Sequence, residues 1–271
     1  MNDRYAVIGN PVAHSKSPWI HAEFARATGQ RIDYGRIEAP LGAFARTVAA
    51  FRAAGGRGCN VTLPFKAEAF ALATEPTPRA RAARAANTLR FDGEGAGAAV
   101  AADNTDGAGL VNDLERNLRR PIAGRRVLLM GAGGAAQGVL GPLLEARPAA
   151  LVLANRTAGK AQALAARFPG SRGGGYDAIA GESFDIVVNA TSAGLTGGAV
   201  PLPGGLFAPG ALAYDMVYGR DTPFLAAACA AGAATSDGLG MLVEQAAESF
   251  FFWCGARPET GAVLAALRAD G

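Results

Sequence analysis

Val127-Leu128-Leu129-Met130-Gly131-Ala132-Gly133-Gly134-Ala135-Ala136 is the stretch that decides the fold of this 271-residue chain. Four apolar residues in a row read as a buried strand, the glycines as a tight turn, and the alanines after them as the start of a helix. The result is a G-x-G-x-x-A pattern between strand and helix, which brings backbone N–H groups and a helix N-terminus up to the pyrophosphate of a dinucleotide. Gly131 permits the turn, Gly133 admits the phosphates, and Ala136 keeps the helix close to the strand, with Ala132, Gly134 and Ala135 completing the cofactor loop. In a chain with 37 glycines such a run also arises as a plain turn. The strand before it and the helix after it favour the nucleotide.

Residues 150–154 form the next strand-like run, and the residues just beyond its end select the cofactor. An acid at that place would bind the ribose 2'-hydroxyl of NAD. This chain has Asn155-Arg156-Thr157 instead, with Lys160 close behind. No carboxylate repels a 2'-phosphate, Arg156 can grip one in a charge-assisted fork, and Lys160 adds a second positive charge, so NADP is favoured over NAD. Basic residues in isolation are ordinarily solvated; their position after the second strand of the fingerprint gives these two a task. Strand-like runs recur at 184–190 and 212–216 with helical stretches between, so this α/β unit extends to about residue 236. Residues 238–269 hold two helical patterns separated by Gly255 and Pro258 and must pack on one of the sheets.

Toward the N-terminus, strand-like runs at 5–9, 33–37 and 58–62 alternate with helical stretches, the pattern of a parallel sheet with crossovers. The first crossover helix is predicted to have Ser17 as N-cap, Pro18 at its first position, an apolar face of Ile20, Phe24 and Ala27, and Gly29 at its end. A second helix is expected over 41–54. Residues 87–91 and 98–102 flank the turn-forming Asp92, Gly93, Glu94 and Gly95 and read as a hairpin. A helix over 105–118, apolar at Leu110, Val111, Leu114 and Leu118, bridges to the strand at 126–130. The chain is therefore expected to be two-domain α/β. An N-terminal α/β domain (1–105) takes back the C-terminal helices (239–271), and 106–238 form a Rossmann-like nucleotide domain.

Composition narrows the function. Twenty-six basic against 23 acidic residues leave a formal charge of +3 with no basic tract, so a nucleic-acid partner has little electrostatic support while a small anion remains a reasonable ligand. Cys59, Cys229 and Cys254 are far apart and form no zinc-like cluster, which fits a reducing cytoplasm. MNDRYAVIGN lacks a signal pattern and no apolar run reaches bilayer length, so neither membrane nor metal is expected.

Three polar residues stand out as candidates for chemistry. Lys66, in Asn60-Val61-Thr62-Leu63-Pro64-Phe65-Lys66, puts a cation in the first turn of a short helix, where the macrodipole opposes it. Such a lysine suits proton transfer, although a solvated lysine is commoner. Asp106 opens the bridge helix, where an acid is favourable with or without a catalytic task. Gln245 is a polar group on a largely apolar helix and needs a partner, either backbone or ligand.

Taken together the motifs resemble those of the shikimate dehydrogenase family nearly end to end. They are the run from Ala6 to Pro18, then Asn60 to Lys66, Asn87-Thr88-Leu89, Asn104-Thr105-Asp106-Gly107 and the glycine loop with Asn155-Arg156-Thr157. Asn189 to Gly194, Tyr214 to Tyr218 and Asp237 to Gln245 complete the set. The resemblance implies that Ser15 and Ser17 hold a shikimate carboxylate. It also implies that Asn60, Thr62, Asn87, Asp106, Tyr218 and Gln245 bind carboxylate or ring hydroxyls beside Lys66. Thr191, Met216 and Gly238 are implied to lie at the cofactor, the last two near the nicotinamide. Arg84 and Ala102 stand where glycine is usual, Gln137 stands where many relatives carry a basic residue, and His14 is implied to belong to the serine loop rather than to act as the catalytic acid.

The activity implied is NADPH-dependent, reversible reduction of the C3 ketone of 3-dehydroshikimate to shikimate, in aromatic amino-acid biosynthesis, with Lys66 and Asp106 as the catalytic pair. Two other readings stay open: a quinate/shikimate dehydrogenase, since an extra ring hydroxyl fits the same motifs, and a non-catalytic regulator that binds NADP or shikimate. The chain is expected to act as a monomer or homodimer in the cytoplasm.

Overall fold

The computed structural model describes residues 2–93, 98–195 and 198–270. The chain divides into two compact units. The first contains Met1–Gly109 and Val243–Ala269, and the second Leu110–Leu242.

In the first unit, strands β1 (Asp3–Gly9), β2 (Ile32–Glu38), β3 (Gly56–Val61), β4 (Glu75–Pro76), β5 (Thr88–Phe91) and β6 (Val100–Asp103) form one sheet in the order β2-β1-β3-β5-β6-β4. β2, β1 and β3 run parallel, joined through helices α1 (Ser17–Thr28) and α2 (Phe44–Ala53). β5 pairs antiparallel with both β3 and β6, as a hairpin requires. Asp92 N–H donates to Ala99 C=O at the hairpin end, and the expected turn residues Glu94 and Gly95 lie outside the described residues. Ile8, Phe44, Phe65 and Leu89 anchor the core. Helices α3 (Lys66–Leu72) and α4 (Pro78–Ala83) link β3 to β5.

One detail corrects the sequence reading here. Ser17 is not an N-cap: Lys16 holds that place without a side-chain bond, and Ser17 already takes the first helical position. α1 does end on Gly29, whose φ of 70° lies in the left-handed region that glycine enters freely. The C-terminal helices α9 (Leu239–Cys254) and α10 (Gly261–Ala269) contribute to this unit from Val243 onward. Trp253 of α9 donates its indole N–H to Leu89 C=O (2.9 Å) and stacks on Tyr5. A Cβ at Gly58 would lie 2.8 Å from the Trp253 Nε1, so glycine is needed there for the helix to seat.

In the second unit six strands run parallel: β7 (Arg126–Met130), β8 (Ala150–Ala154), β9 (Ser171–Gly174), β10 (Phe184–Asn189), β11 (Phe207–Asp215) and β12 (Ala234–Ser236). Their order, β12-β11-β10-β7-β8-β9, is the doubly wound Rossmann arrangement, which reverses direction between β7 and β10. Alternate residues of each strand serve opposite faces. Leu129, Leu153 and Val188 pack with Val139 and Leu140 of α6 (Gly134–Glu145), while Leu128, Val152 and Val187 pack with Phe224 of α8 (Pro223–Ala230). Burial on both faces is why these strands read as continuous apolar runs. Between β8 and β9 lies α7 (Ala158–Ala165).

The helix expected over 105–118 is divided. α5 (Asp106–Asn112) gives way to a π-helical turn, Asp113–Asn117. Asp113 is buried there, accepting from the Tyr214 hydroxyl (2.7 Å) and the Asn117 amide (2.9 Å), and burial, with Asp113 second, holds the Tyr214 phenol well above its usual range. Among the described residues, no helix is long and apolar enough to cross a membrane.

Candidate active site and cofactor loop

The first unit gathers its polar residues at the ends of β1, β3 and β6. A Cβ at Gly9 would strike the Thr62 methyl, so glycine at the end of β1 is what lets the Thr62 loop approach. Thr62 N–H donates to Ile8 C=O across that approach. Ser15 N–H donates to Val12 C=O, its hydroxyl donates to Ser17 Oγ, and Ser17 N–H returns a bond to Ser15 Oγ. Arg36 of β2 holds the Ser15 carbonyl from outside (2.6 and 3.1 Å), placing both hydroxyls at the head of α1. Exposed His14 precedes them in the same loop.

Lys66 is the first residue of α3 and Asp106 the first of α5. Their side chains meet: Lys66 Nζ lies 2.6 Å from Asp106 Oδ2, with side-chain exposures of 19% and 8%. The other carboxylate oxygen accepts from Asn87 Nδ2 at 2.9 Å. Asn87 is itself fixed, because its Oδ1 accepts the main-chain N–H of Thr105 (2.9 Å), which turns its donor end toward Asp106. Gln245 of α9 accepts from the same Asn87 amide (3.3 Å), so its partner is a side chain of the site. A half-screened ammonium against a carboxylate that already holds a neutral donor is an arrangement able to hand a proton to a developing alkoxide and be restored.

Asn60, at the end of β3, is buried and held on both ends. Its Oδ1 accepts from the Tyr34 hydroxyl (2.7 Å), and its Nδ2 donates to Ser249 Oγ, Thr88 Oγ1 and Asn87 C=O (2.9 to 3.2 Å). Tyr34, Thr88, Thr105 and Ser249 were missed by the sequence reading. Ser249 stands one helical turn beyond Gln245, and Thr88 and Thr105 each adjoin a named residue, so helical spacing and neighbourhood would have found three of them. Tyr34 gives only the general signal that a buried phenol needs a partner.

The second unit holds the glycine loop. Gly131 has φ 111°, and a Cβ there would press on the Ala190 backbone at 3.1 Å. Gly133 is the N-cap of α6 and Gly134 its first residue; a Cβ on either would meet no protein atom within 4 Å. Packing therefore does not demand glycine at 133 and 134, and their backbones stand open at a helix N-terminus, as a bound pyrophosphate needs. Ala132 and Ala135 lie in the same turn. After β8, Asn155 bonds back to Gly174 C=O and Thr157 C=O, while Arg156 and Lys160 are exposed and make no ion pair among the described residues. These cations fit the 2'-phosphate of NADP.

Two further loops of this unit are tied by a buried carboxylate. Asp215 accepts from the Thr222 hydroxyl (2.7 Å), Val217 N–H (3.0 Å) and Asn189 Nδ2 (3.1 Å), and Asn189 Oδ1 accepts from Thr191 N–H and hydroxyl. Thr191 and Met216 are held on these loops, and Gly238 closes on the Met216 backbone so tightly that no Cβ fits. Tyr218, also on this unit, has its phenol raised by burial.

Comparison with known proteins agrees over nearly the whole length. The family profile described as shikimate dehydrogenase substrate binding domain matches residues 7–89, that of shikimate / quinate 5-dehydrogenase 113–196, and that of shikimate 5'-dehydrogenase C-terminal domain 238–268. Shikimate dehydrogenase (NADP(+)) from Methylobacillus flagellatus is 59% identical over 98% of this chain and 99% of its own, and its counterpart from Aromatoleum aromaticum is 60% identical over 98% and 97%. Among solved structures, shikimate 5-dehydrogenase from Thermus thermophilus in complex with NADP(H) and shikimate superposes with TM-score 0.86 at 36% identity, covering 98% of this chain and 99% of its own. An Ael1 enzyme from Pseudomonas putida reaches TM-score 0.92 at 50% identity, covering 98% of both chains. With its Rossmann order, its glycine loop and relatives of this identity over nearly all its length, the chain belongs to the shikimate dehydrogenase family.

Proposed function

We infer that the chain is an NADP-dependent shikimate dehydrogenase, reducing 3-dehydroshikimate to shikimate and running in reverse with NADP+. The observation that carries the reading is the Lys66–Asp106 pair at 2.6 Å, assembled from residues 40 apart in sequence. The first unit binds substrate. Ser15 and Ser17 take its carboxylate, and Asn60, Thr62, Asn87 and Gln245 take carboxylate or ring hydroxyls, the role that the family resemblance also gives Tyr218. The second unit binds NADP through Gly131 to Ala135, Asn155, Arg156, Thr157, Lys160, Thr191, Met216 and Gly238.

Bound NADPH supplies the hydride. As the ketone oxygen gains charge, the Lys66 ammonium stabilises it and yields the proton, while Asp106 holds the lysine in place and Asn87 holds Asp106. Three widely separated thiols and the demand for NADPH fit a cytoplasmic enzyme, acting as a monomer or homodimer. The test monitors NADPH absorbance with shikimate and with quinate, each against NADP+ and NAD+. Turnover of shikimate with NADP+ far above the other three combinations is expected. Comparable turnover of quinate would make it a quinate/shikimate enzyme, and no turnover of either would mark a binding protein.

A further inference from the structure

Beneath the proposed substrate residues lie three hydroxyls from distant parts of the chain, Thr88 of β5, Thr105 before α5 and Ser249 of α9, all fully buried. Thr88 is the junction. Its Oγ1 accepts from Asn60 Nδ2 (3.2 Å), sits 2.7 Å from Ser249 Oγ, and is 3.1 Å from Asn87 Oδ1 as its donor. One line of donors runs through it. Tyr34 donates to Asn60, Asn60 to Thr88, Thr88 to Asn87 and Asn87 to Asp106, where the chain of donors ends on the carboxylate that also faces Lys66. Hydrogen bonds aligned this way polarise one another, and a partly satisfied network loses more than one bond's worth.

We propose that Thr88 is a positioning residue for the reaction, its hydroxyl bridging the Asn60 and Asn87 amides and, beside the Thr105 N–H, holding Asn87 in the orientation that donates to Asp106. The Thr88 hydroxyl reaches Asn87 Oδ1 at 3.1 Å and joins the Thr105 N–H in keeping the acceptor end of that amide away from the carboxylate; Ser249, which donates to Gln245 C=O, lies 2.7 Å from Thr88 Oγ1 with either hydroxyl able to donate. Thr88 touches neither Lys66 nor Asp106 and acts only through Asn87. The inference rests on the reading of Lys66 and Asp106 as the catalytic pair.

Two substitutions separate this role from packing, because each removes one half of the side chain. Thr88→Val keeps the shape and loses the hydroxyl; Thr88→Ser keeps the hydroxyl and loses a buried methyl. The expected result is a kcat for shikimate oxidation lowered about three- to tenfold in Thr88→Val, the rate equivalent of one net hydrogen bond. Thr88→Ser should stay near the wild-type kcat, and the KM for NADP+ should be unchanged in both. A structural role gives the reverse pattern, with Thr88→Ser the more impaired, and that result or a wild-type kcat in Thr88→Val overturns the proposal. Should Thr88→Val not fold, Thr88→Ala removes the same hydroxyl in a smaller side chain; it is expected to lower kcat in the same direction, and a kcat equal to that of Thr88→Ser overturns the proposal. Asp106→Ala in the same assay separates the two levels. If it turns over like wild type the catalytic pair itself is wrong, whereas its collapse beside an unaffected Thr88→Val rejects Thr88 alone.

Discussion

Arg156 shows how much one exposed side chain can decide. It stands at the end of β8 where an NAD enzyme carries an acid, and no acidic residue neutralises it among the described residues. Arg156→Asp replaces a charge-assisted fork by a repulsion, so NADP+ affinity is expected to fall by at least the roughly 1.5–3 kcal/mol of a charged hydrogen bond, while NAD+ gains. Titrating NADPH fluorescence against wild type and Arg156→Asp checks this, and unchanged NADP affinity would remove Arg156 from the 2'-phosphate. Residues of this kind were legible in the sequence because their meaning comes from position within a motif. The hydroxyls of Thr88, Thr105 and Ser249 were not, since their task depends on three segments meeting, and Asn60 and Ser249 are 189 residues apart.

At the scale of elements, legibility tracked the apolar pattern. β7 and β8 were read to the residue, because buried parallel strands are unbroken apolar runs with clear breakers at each end. β4, β9 and β12 were not seen. Glu75–Pro76, Ser171–Gly174 and Ala234–Ser236 are short edge strands with proline, glycine or polar residues and no alternation to read. β11 was started late, as Pro209 and Gly210 look like a loop yet lie within the strand's span, where its register with β10 shifts. Arg84, noted in the sequence as standing where glycine is usual, proves to be the C-cap of α4 at φ 52° and ψ 35°. A left-handed conformation costs an L-residue about 1–2 kcal/mol, partly offset because glycine loosens the unfolded chain by about 0.4–1 kcal/mol. Arg84→Gly is therefore expected to stabilise by about 0.5–1 kcal/mol, measured as a higher urea midpoint with unchanged slope. Ala102, the other such position, simply fills the core with its methyl.

For the molecule as a whole, one buried group links stability to pH. His21 of α1 is enclosed by Phe24, Tyr34, Phe250 and Trp253, stacks flat on Tyr34 (4.4 Å, 7°), and neither ring nitrogen has a hydrogen-bond partner among the described residues. Burial lowers its pKa from 6.5 to about 3. Below pH 6.5 the unfolded chain binds a proton that the folded chain refuses, so this residue leaves stability constant above that pH and reduces it as pH falls toward 3. The slope is about 1.4 kcal/mol per pH unit for one proton. His21→Phe keeps a ring in the stack and abolishes the proton. Urea denaturation from about pH 7 to about pH 4 should show the variant losing less stability than wild type over that interval, and parallel losses would mean that His21 takes up its proton while folded.

All of the chemistry proposed for this fold turns on the ammonium of Lys66 beside Asp106, and the kcat of Lys66→Ala for shikimate oxidation by NADP+ measures it. A positioned proton donor is worth about 10²- to 10⁴-fold in rate. A fall of that size, with the KM for NADP+ unchanged and the shikimate KM raised less, is the expected result; a variant turning over within a few-fold of wild type would contradict it.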